Sequence, residues 1–305
     1  MPQEPTLYSP AIHADGEDVS VIFAKGHPGF DDPDYQEHRS NIARIALSYV
    51  PGTPIPDVEY TREENELWRL IGPELEEKHK RYACGEFLRG ARLLELPARR
   101  LPQLNEVSLR LQRLTGFRFS PAAGLVDVHD FYQSLAEPRF QATQYIRHGS
   151  MPMFSPEPDM IHEIIGHGSA LASSRLASLY QLFGQAVSRF HSRDVVSIVS
   201  LLFWFTMEHG LIREDSEIRV LGASMLSSCG ELEQFRDADI RPLDLAAMTQ
   251  QEYRVDDYQP VLFCADSFDH LTQFLTRLLT SGEQDIRAAA GVHRDPVEVT
   301  VGKAR

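Results

Sequence analysis

The chain has 305 residues, 42% hydrophobic and 24% charged, a composition that fits a globular protein of enzyme size and excludes disordered, collagen-like and repeat classes. Its 44 acidic residues outweigh 30 basic ones, and a net charge of −14 disfavours nucleic acid or an anionic membrane as a partner. Cys84, Cys229 and Cys264 are widely spaced and odd in number, and neither a secretory start nor an 18-residue apolar run is present, so a cytoplasmic protein is expected.

Residues 1–26 are rich in Pro, Asp and Gly without periodicity and are expected to form an irregular arm, within an aperiodic stretch that reaches residue 35. Thr61-Arg62-Glu63-Glu64 is a capping-box pattern, with Leu67 and Ile71 following at helical spacing. Helical segments are expected through Leu96, with a break at Gly72-Pro73. Residues 102–114 read as an amphipathic helix with Leu104, Val107, Leu111 and Leu114 on one stripe. Residues 116–130 are short, carry Phe and Gly, and turn at Pro121-Ala122-Ala123-Gly124. A Pro-rich loop over 152–158 precedes a helix from about Asp159, and long helices are expected over 170–190 and 194–209. Beyond Gln259 come a short strand, a helix over 268–279 and a β-like tail at 297–301. No repeat or linker divides the chain. The expectation is therefore a mainly α protein with minor β (α+β), one domain spanning 1–305.

The segment 156–167 is the richest in chemistry. Asp159 is placed to cap the helix that carries His162, Glu163 and His167. In a regular α-helix neighbours project about 100° apart, so His162 and Glu163 face different sides. His162 and His167 are five apart, whereas the zinc-protease H-E-x-x-H pair is four apart on one face. The extra residue turns His167 off the face of His162 unless the helix ends or bulges at Gly166. Glu208 closes the apolar run 197–207, where a carboxylate needs a partner, and is the candidate third ligand. Two histidines and one carboxylate suit non-haem Fe(II). A zinc-dependent hydrolase using His162, His167 and Glu208, with Glu163 as general base, is the competing reading. Each histidine also reads as a hydrogen-bonded core residue, Asp159 as a helix cap only, and Trp204 as plain core.

Five ordered segments carry a resemblance: Thr143-Gln144-Tyr145-Ile146-Arg147-His148-Gly149-Ser150; Pro156-Glu157-Pro158-Asp159 with His162-Glu163 and Gly166-His167; Trp204-Phe205-Thr206-Met207-Glu208; Leu226-Ser227-Ser228-Cys229-Gly230-Glu231; and Ala265-Asp266-Ser267-Phe268. From about His27 onward the chain resembles the pterin-dependent aromatic amino acid hydroxylases, especially the bacterial phenylalanine hydroxylases. The resemblance implies that family's catalytic-domain fold, without a separate regulatory domain or tetramerisation helix, as a monomer or a dimer. It implies Fe(II) on His162, His167 and Glu208, and a tetrahydropterin (tetrahydrobiopterin or a relative) near Gly124, Leu125 and Val126, stacked on Phe131. Glu163 would face the cofactor as a catalytic group. Arg147 would hold the substrate carboxylate, supported by Ser155 and Asp159, with Trp204 and Ser227 forming the amino acid pocket. The implied activity is Fe(II)- and tetrahydropterin-dependent monooxygenation with O2 as co-substrate, converting free L-phenylalanine to tyrosine, para or meta. Tyrosine or tryptophan hydroxylation is the alternative within the family. The implied partners are a free aromatic amino acid and a diffusible pterin, with no nucleic acid and no membrane.

Several positions depart from the family pattern. Gly168-Ser169 stands for Val-Pro, Ser155 after Phe154 stands for Thr, Val128-His129 for Ser and Arg, Phe203 for Tyr, His209 for Phe, and Cys264 for a Val-like residue. None removes an implied ligand. They bear on substrate and ring position, and Cys264 is expected to influence substrate choice, while Trp204 favours a phenylalanine or tyrosine pocket.

Overall fold

The structure, a computed structural model, describes residues 5–16, 18–153, 155, 157–254 and 257–292. Phe154, Pro156 and the β-like tail expected at 297–301 lie outside the described residues. Helices dominate and the sheets are small, in agreement with a mainly α fold with minor β.

The N-terminal arm departs from expectation. Ala11–Asp15 and Asp18–Ile22 pair antiparallel as a hairpin, turned at Gly16, whose φ of +63° suits glycine. Val19 and Val21 alternate inward and pack with Phe23 against Ala43 of the helix Pro33–Leu47. The Asp and Gly letters that read as irregular occupy the turn and the outward face.

Thr61 and Glu64 form the expected capping box: Glu64 N donates to Thr61 Oγ1 at 3.1 Å and Thr61 N donates to Glu64 Oε2 at 2.8 Å. The helix then runs Arg62–Tyr82 without the expected break, straight through Pro73. A mid-helix proline costs about 3 kcal/mol. Against that stands a stripe of Leu67, Trp68, Ile71, Leu75 and Tyr82, all buried on one face across the proline. Each large apolar side chain contributes about 1.5–3 kcal/mol, so the stripe outweighs the break. Leu104–Leu114 forms as expected, burying Leu104, Val107 and Leu111, with Leu114 left exposed at its end.

Two small sheets frame the interior. Arg118–Ala122 and Arg139–Thr143 pair in parallel, joined by the crossover helix Val128–Ala136, and both lead into loops that reach the same cavity. A four-stranded mixed sheet runs in the order Glu217–Val220, Leu211–Glu214, Val261–Ala265, Asp239–Pro242. The helix Ser174–Val187 passes so close to Val128–Ala136 that a Cβ on Gly184 would lie 2.2 Å from Ala136 N. The helices expected over 170–190 and 194–209 are shorter than the pattern suggests. The second ends at Phe203 and passes into a π-helix, Trp204–Glu208, and another π-helix spans Ile161–Gly168. Strand Val261–Ala265 and helix Phe268–Leu279 match expectation. Among the described residues no helix is long and apolar enough to cross a membrane.

Candidate metal centre and substrate cavity

The two π-helices resolve the problem of the five-residue spacing. A π-turn closes i→i+5 hydrogen bonds, so residues five apart return to one side. His162 and His167 accordingly face each other, with their Nε2 atoms 2.9 Å apart. In the second π-helix His209 N donates to Trp204 O at 2.9 Å, and Glu208 turns inward. Its Oε1 lies 3.3 Å from His167 Nε2 and its Oε2 3.9 Å from His162 Nε2.

Each ligand atom is aimed from behind. The Ser227 hydroxyl donates to the carbonyls of Ala223 and Ser224 at 3.0 and 2.9 Å, so at 3.2 Å it accepts from His162 Nδ1. His167 Nδ1 is hydrogen-bonded to the Tyr180 hydroxyl at 2.8 Å, while Phe140 packs 4.5 Å from the same ring. The Ser227 bond assigns the His162 proton to Nδ1 and leaves its Nε2 lone pair for an ion, and His167 could ligate through Nε2 with its Nδ1 proton on Tyr180. Ser224 Oγ donates to Glu208 Oε2 at 2.7 Å. Tyr180 and Ser224 carry no linear signal, and sequence reasoning misses both.

Burial pushes His162 down to about 4, helped by the charge of His167, which keeps it neutral and able to ligate. Burial also opposes charge on His167, but Glu208 outweighs it and raises that pKa, so a divalent ion must displace its proton. Burial acts against an ionised Glu208 too, yet His167 and the Ser224 hydroxyl hold it well below the usual carboxylate range. Glu163 behaves differently. Burial pushes it up to about 7, against the charge of His167 and the bonds its Oε1 accepts from Thr143 N and Oγ1 at 3.2 and 3.3 Å. Glu163 also lies within ligand distance of both histidines. The two carboxylates therefore divide their tasks: Glu208 is the ionised donor and Glu163 can carry a proton near neutral pH.

The donor set fits iron. Ligands about 2.1 Å from one ion at right angles stand about 3 Å apart, close to the 2.9 and 3.3 Å edges at His167 and shorter than the 3.9 Å edge between His162 and Glu208. Two neutral imidazoles and one carboxylate on one face leave positions open and suit non-haem Fe(II).

The set opens on a cavity of about 760 Å³, within the range of small-molecule sites. Arg147 lines it and is gripped by Asp159: Nε to Oδ2 at 2.8 Å, Nη2 to Oδ1 at 2.9 Å, and the backbone N to Oδ2 at 2.8 Å. Asp159 is fully buried and also accepts from Ile161 N and His162 N, both at 3.2 Å. It is thus both the helix cap and the anchor of Arg147. Ser155, Trp204 and Ser227 line the cavity, and Trp204 lies between His209 and Tyr253, with ring centroids at 4.4 and 4.7 Å. Gly124, Leu125, Val126, Phe131 and Glu163 line it as well. Cys264 does not. It is buried in the strand Val261–Ala265, opposite Leu211 and Pro242, and no residue of that strand lines the cavity, so the expected contact of Cys264 with substrate has no support in this geometry.

A second buried cluster lies behind Asp159. Glu157 Oε1 accepts from Arg39 Nη1 at 2.6 Å and is 3.3 Å from His27 Nε2, while Oε2 accepts from the Tyr145 hydroxyl at 2.9 Å. The Arg39 guanidinium lies 3.3 Å from the centroid of the Tyr145 ring. This cluster ties the helix Pro33–Leu47 to the loop that carries Asp159, and sequence reasoning gives no sign of it.

Comparison with known proteins agrees with this geometry. The phenylalanine 3-hydroxylase of Streptomyces coeruleorubidus is 41% identical over 263 residues, which cover 86% of this chain and 94% of that protein. The tyrosine 3-monooxygenase of Schistosoma mansoni is 41% identical over 90% of this chain but only 59% of its own length. The Chromobacterium violaceum phenylalanine hydroxylase, solved with iron(III) and 7,8-dihydrobiopterin, superposes with a TM-score of 0.72 at 26% identity, covering 84% of this chain and 96% of that one. These likenesses are to monooxygenases, and the zinc-hydrolase reading is withdrawn. Residues 16–301 match the family described as biopterin-dependent aromatic amino acid hydroxylase, and the chain belongs to that family.

Proposed function

We propose that this protein is an Fe(II)- and tetrahydropterin-dependent monooxygenase that uses O2 to hydroxylate free L-phenylalanine at the 3-position, giving meta-tyrosine. The convergence of His162, His167 and Glu208 on one cavity with the anchored Arg147 carries the reading. The Streptomyces relative, covered over 94% of its length and named a phenylalanine 3-hydroxylase, supports both substrate and ring position. The described elements form one catalytic domain that meets its amino acid and pterin as diffusible small molecules. The cytoplasm is its proposed location, and a monomer or dimer its proposed state.

When bound, the iron with tetrahydropterin and O2 supplies the oxygen atom that ends on the ring. His162, His167 and Glu208 hold the ion. Arg147 takes the substrate carboxylate, and a guanidinium already fixed by Asp159 loses little freedom on binding. Trp204 and Ser227 wall the amino acid side, and Gly124, Leu125, Val126 and Phe131 the pterin side. Glu163 holds or releases a proton beside the cofactor, and the apolar walls keep water out.

The test is turnover of phenylalanine, tyrosine and tryptophan by Fe(II)-loaded protein with tetrahydrobiopterin and O2. Products are separated against ortho-, meta- and para-tyrosine standards. Meta-tyrosine from phenylalanine is the expected product. Para-tyrosine alone overturns the ring position, and no hydroxylated product from any of the three overturns the activity.

A further inference from the structure

Glu208 has two oxygens and the structure treats them differently. Oε1 lies 3.3 Å from His167 Nε2. Oε2 is 3.9 Å from His162 Nε2 and accepts the Ser224 hydroxyl proton at 2.7 Å, a length typical of a charge-assisted O–H···O⁻ bond. A serine hydroxyl has one proton to give, and here it is given to a buried carboxylate.

The turn that carries Ser224 is held against both ligand-bearing helices. Ser224 and Ser227 lie on or beside the helical turn Ala223–Leu226, and Ser227 accepts from His162 Nδ1 at 3.2 Å. Gly166, between the two histidines, approaches this turn so closely that a Cβ would lie 2.7 Å from Ala223 O. At the start of the turn a Cβ on Gly222 would lie 2.2 Å from Glu208 O. Two backbone-to-backbone approaches without room for a side chain leave the Ser224 hydroxyl little freedom relative to Glu208.

We propose that Ser224 is a positioning residue that makes Glu208 a one-oxygen metal ligand, by engaging Oε2 and leaving Oε1 to the ion. This inference rests on reading His162, His167 and Glu208 as the metal site. With the hydroxyl present, a six-coordinate ion held by three protein atoms keeps three positions for solvent, O2 and substrate-side chemistry. Without it, Oε2 is free to swing in and close one of them. Nothing in the linear pattern marks Ser224, because its partner is Glu208 and the contact exists only in the fold.

The experiment counts metal-bound waters in the Mn(II)-loaded protein by 17O relaxation of solvent, for wild type, Ser224→Ala, Ser224→Thr and Glu208→Ala. Mn(II) affinity and thermal unfolding of the metal-free proteins are measured alongside. Three waters are expected in wild type, two in Ser224→Ala, and three again in Ser224→Thr, which restores the hydroxyl. Glu208→Ala is expected to weaken Mn(II) binding at least tenfold. If Glu208→Ala binds Mn(II) as wild type does, the metal-site reading itself fails. If Glu208→Ala loses affinity while Ser224→Ala keeps three waters, the site stands and the role of Ser224 is overturned. Two waters in wild type overturn it as well, a result that needs no variant to fold.

Discussion

Replacing Arg39 by methionine isolates the buried cluster behind Asp159. Arg39 and Glu157 are only 3% and 6% exposed, so solvent does little to screen them. Burial by itself raises the Glu157 pKa. The charge of Arg39, with the bonds from His27, Arg39 and Tyr145, outweighs burial and lowers it from 4.5 to about 2. At about 1.4 kcal/mol per unit, that difference is worth about 3 kcal/mol to the folded state. The figure agrees with the roughly 3–5 kcal/mol lost when one partner of a buried ion pair is removed. Because the folded pKa is depressed, this stability is whole above pH 4.5 and is lost as pH falls toward 2. In Arg39→Met the sign reverses. The carboxylate keeps its burial but loses its cation, its pKa rises above the unfolded value, and acid now favours the fold relative to wild type. Urea unfolding at a series of pH values reads the difference directly. A gap of about 3–5 kcal/mol is expected near neutral pH, narrowing toward pH 3, and the double variant Arg39→Met with Glu157→Gln is expected to recover much of it. A gap that is flat with pH, or that widens in acid, refutes the reasoning.

Three further outcomes follow from the site. Arg147→Lys keeps a charge against Asp159 but loses the two-pronged grip, so KM for phenylalanine is expected to rise roughly tenfold with kcat little changed; an unchanged KM would remove Arg147 from substrate binding. Tyr180→Phe takes the acceptor from His167 Nδ1 and is expected to weaken Fe(II) binding about 10–100-fold in chelator competition; equal affinity would show that the hydroxyl does not orient the ligand. Cys264→Val, at a buried position outside the cavity lining, is expected to leave KM and the ratio of tyrosine isomers unchanged, and a shifted isomer ratio would show that this strand reaches the substrate.

What is legible in the sequence is local, and what is not is set at a distance. The capping box at Thr61 and Glu64, the buried stripe of Leu104, Val107 and Leu111, and the segment from Asp159 to His167 are each read within a dozen residues, where propensity and spacing act directly. The hairpin of 11–22 is missed because its inner face is marked by Val19 and Val21 with Ile12 across from them, and three apolar letters split by a turn make a weak alternation. Pro73 misleads because the cost of a proline is read locally while the stripe that outweighs it is buried against distant elements. The π-turn at 161–168 is a stronger case. Over eight residues, apolar letters fit an i+4 and an i+5 helix almost equally, so the spacing alone does not select the π-turn, which packs closely on Ala223 at Gly166.

The same division runs through the metal site. The identities of the three ligands can be read because His162 and His167 share one motif and Glu208 ends an apolar run. Their aim cannot, because Tyr180, Ser224 and Ser227 reach their ligands from 13, 16 and 65 residues away. A hydroxyl placed by the fold leaves no spacing to recognise. Where His162, His167 and Glu208 hold an ion, the hydroxyls behind them would fix the side chains that set its open positions. The ring carbon that meets the oxygen would depend on that direction, since a misplacement of about 1 Å can cost about 100-fold in rate. Two chains with the same two histidines and glutamate can therefore yield different tyrosine isomers, and the residues to compare between them are those at 180, 224 and 227.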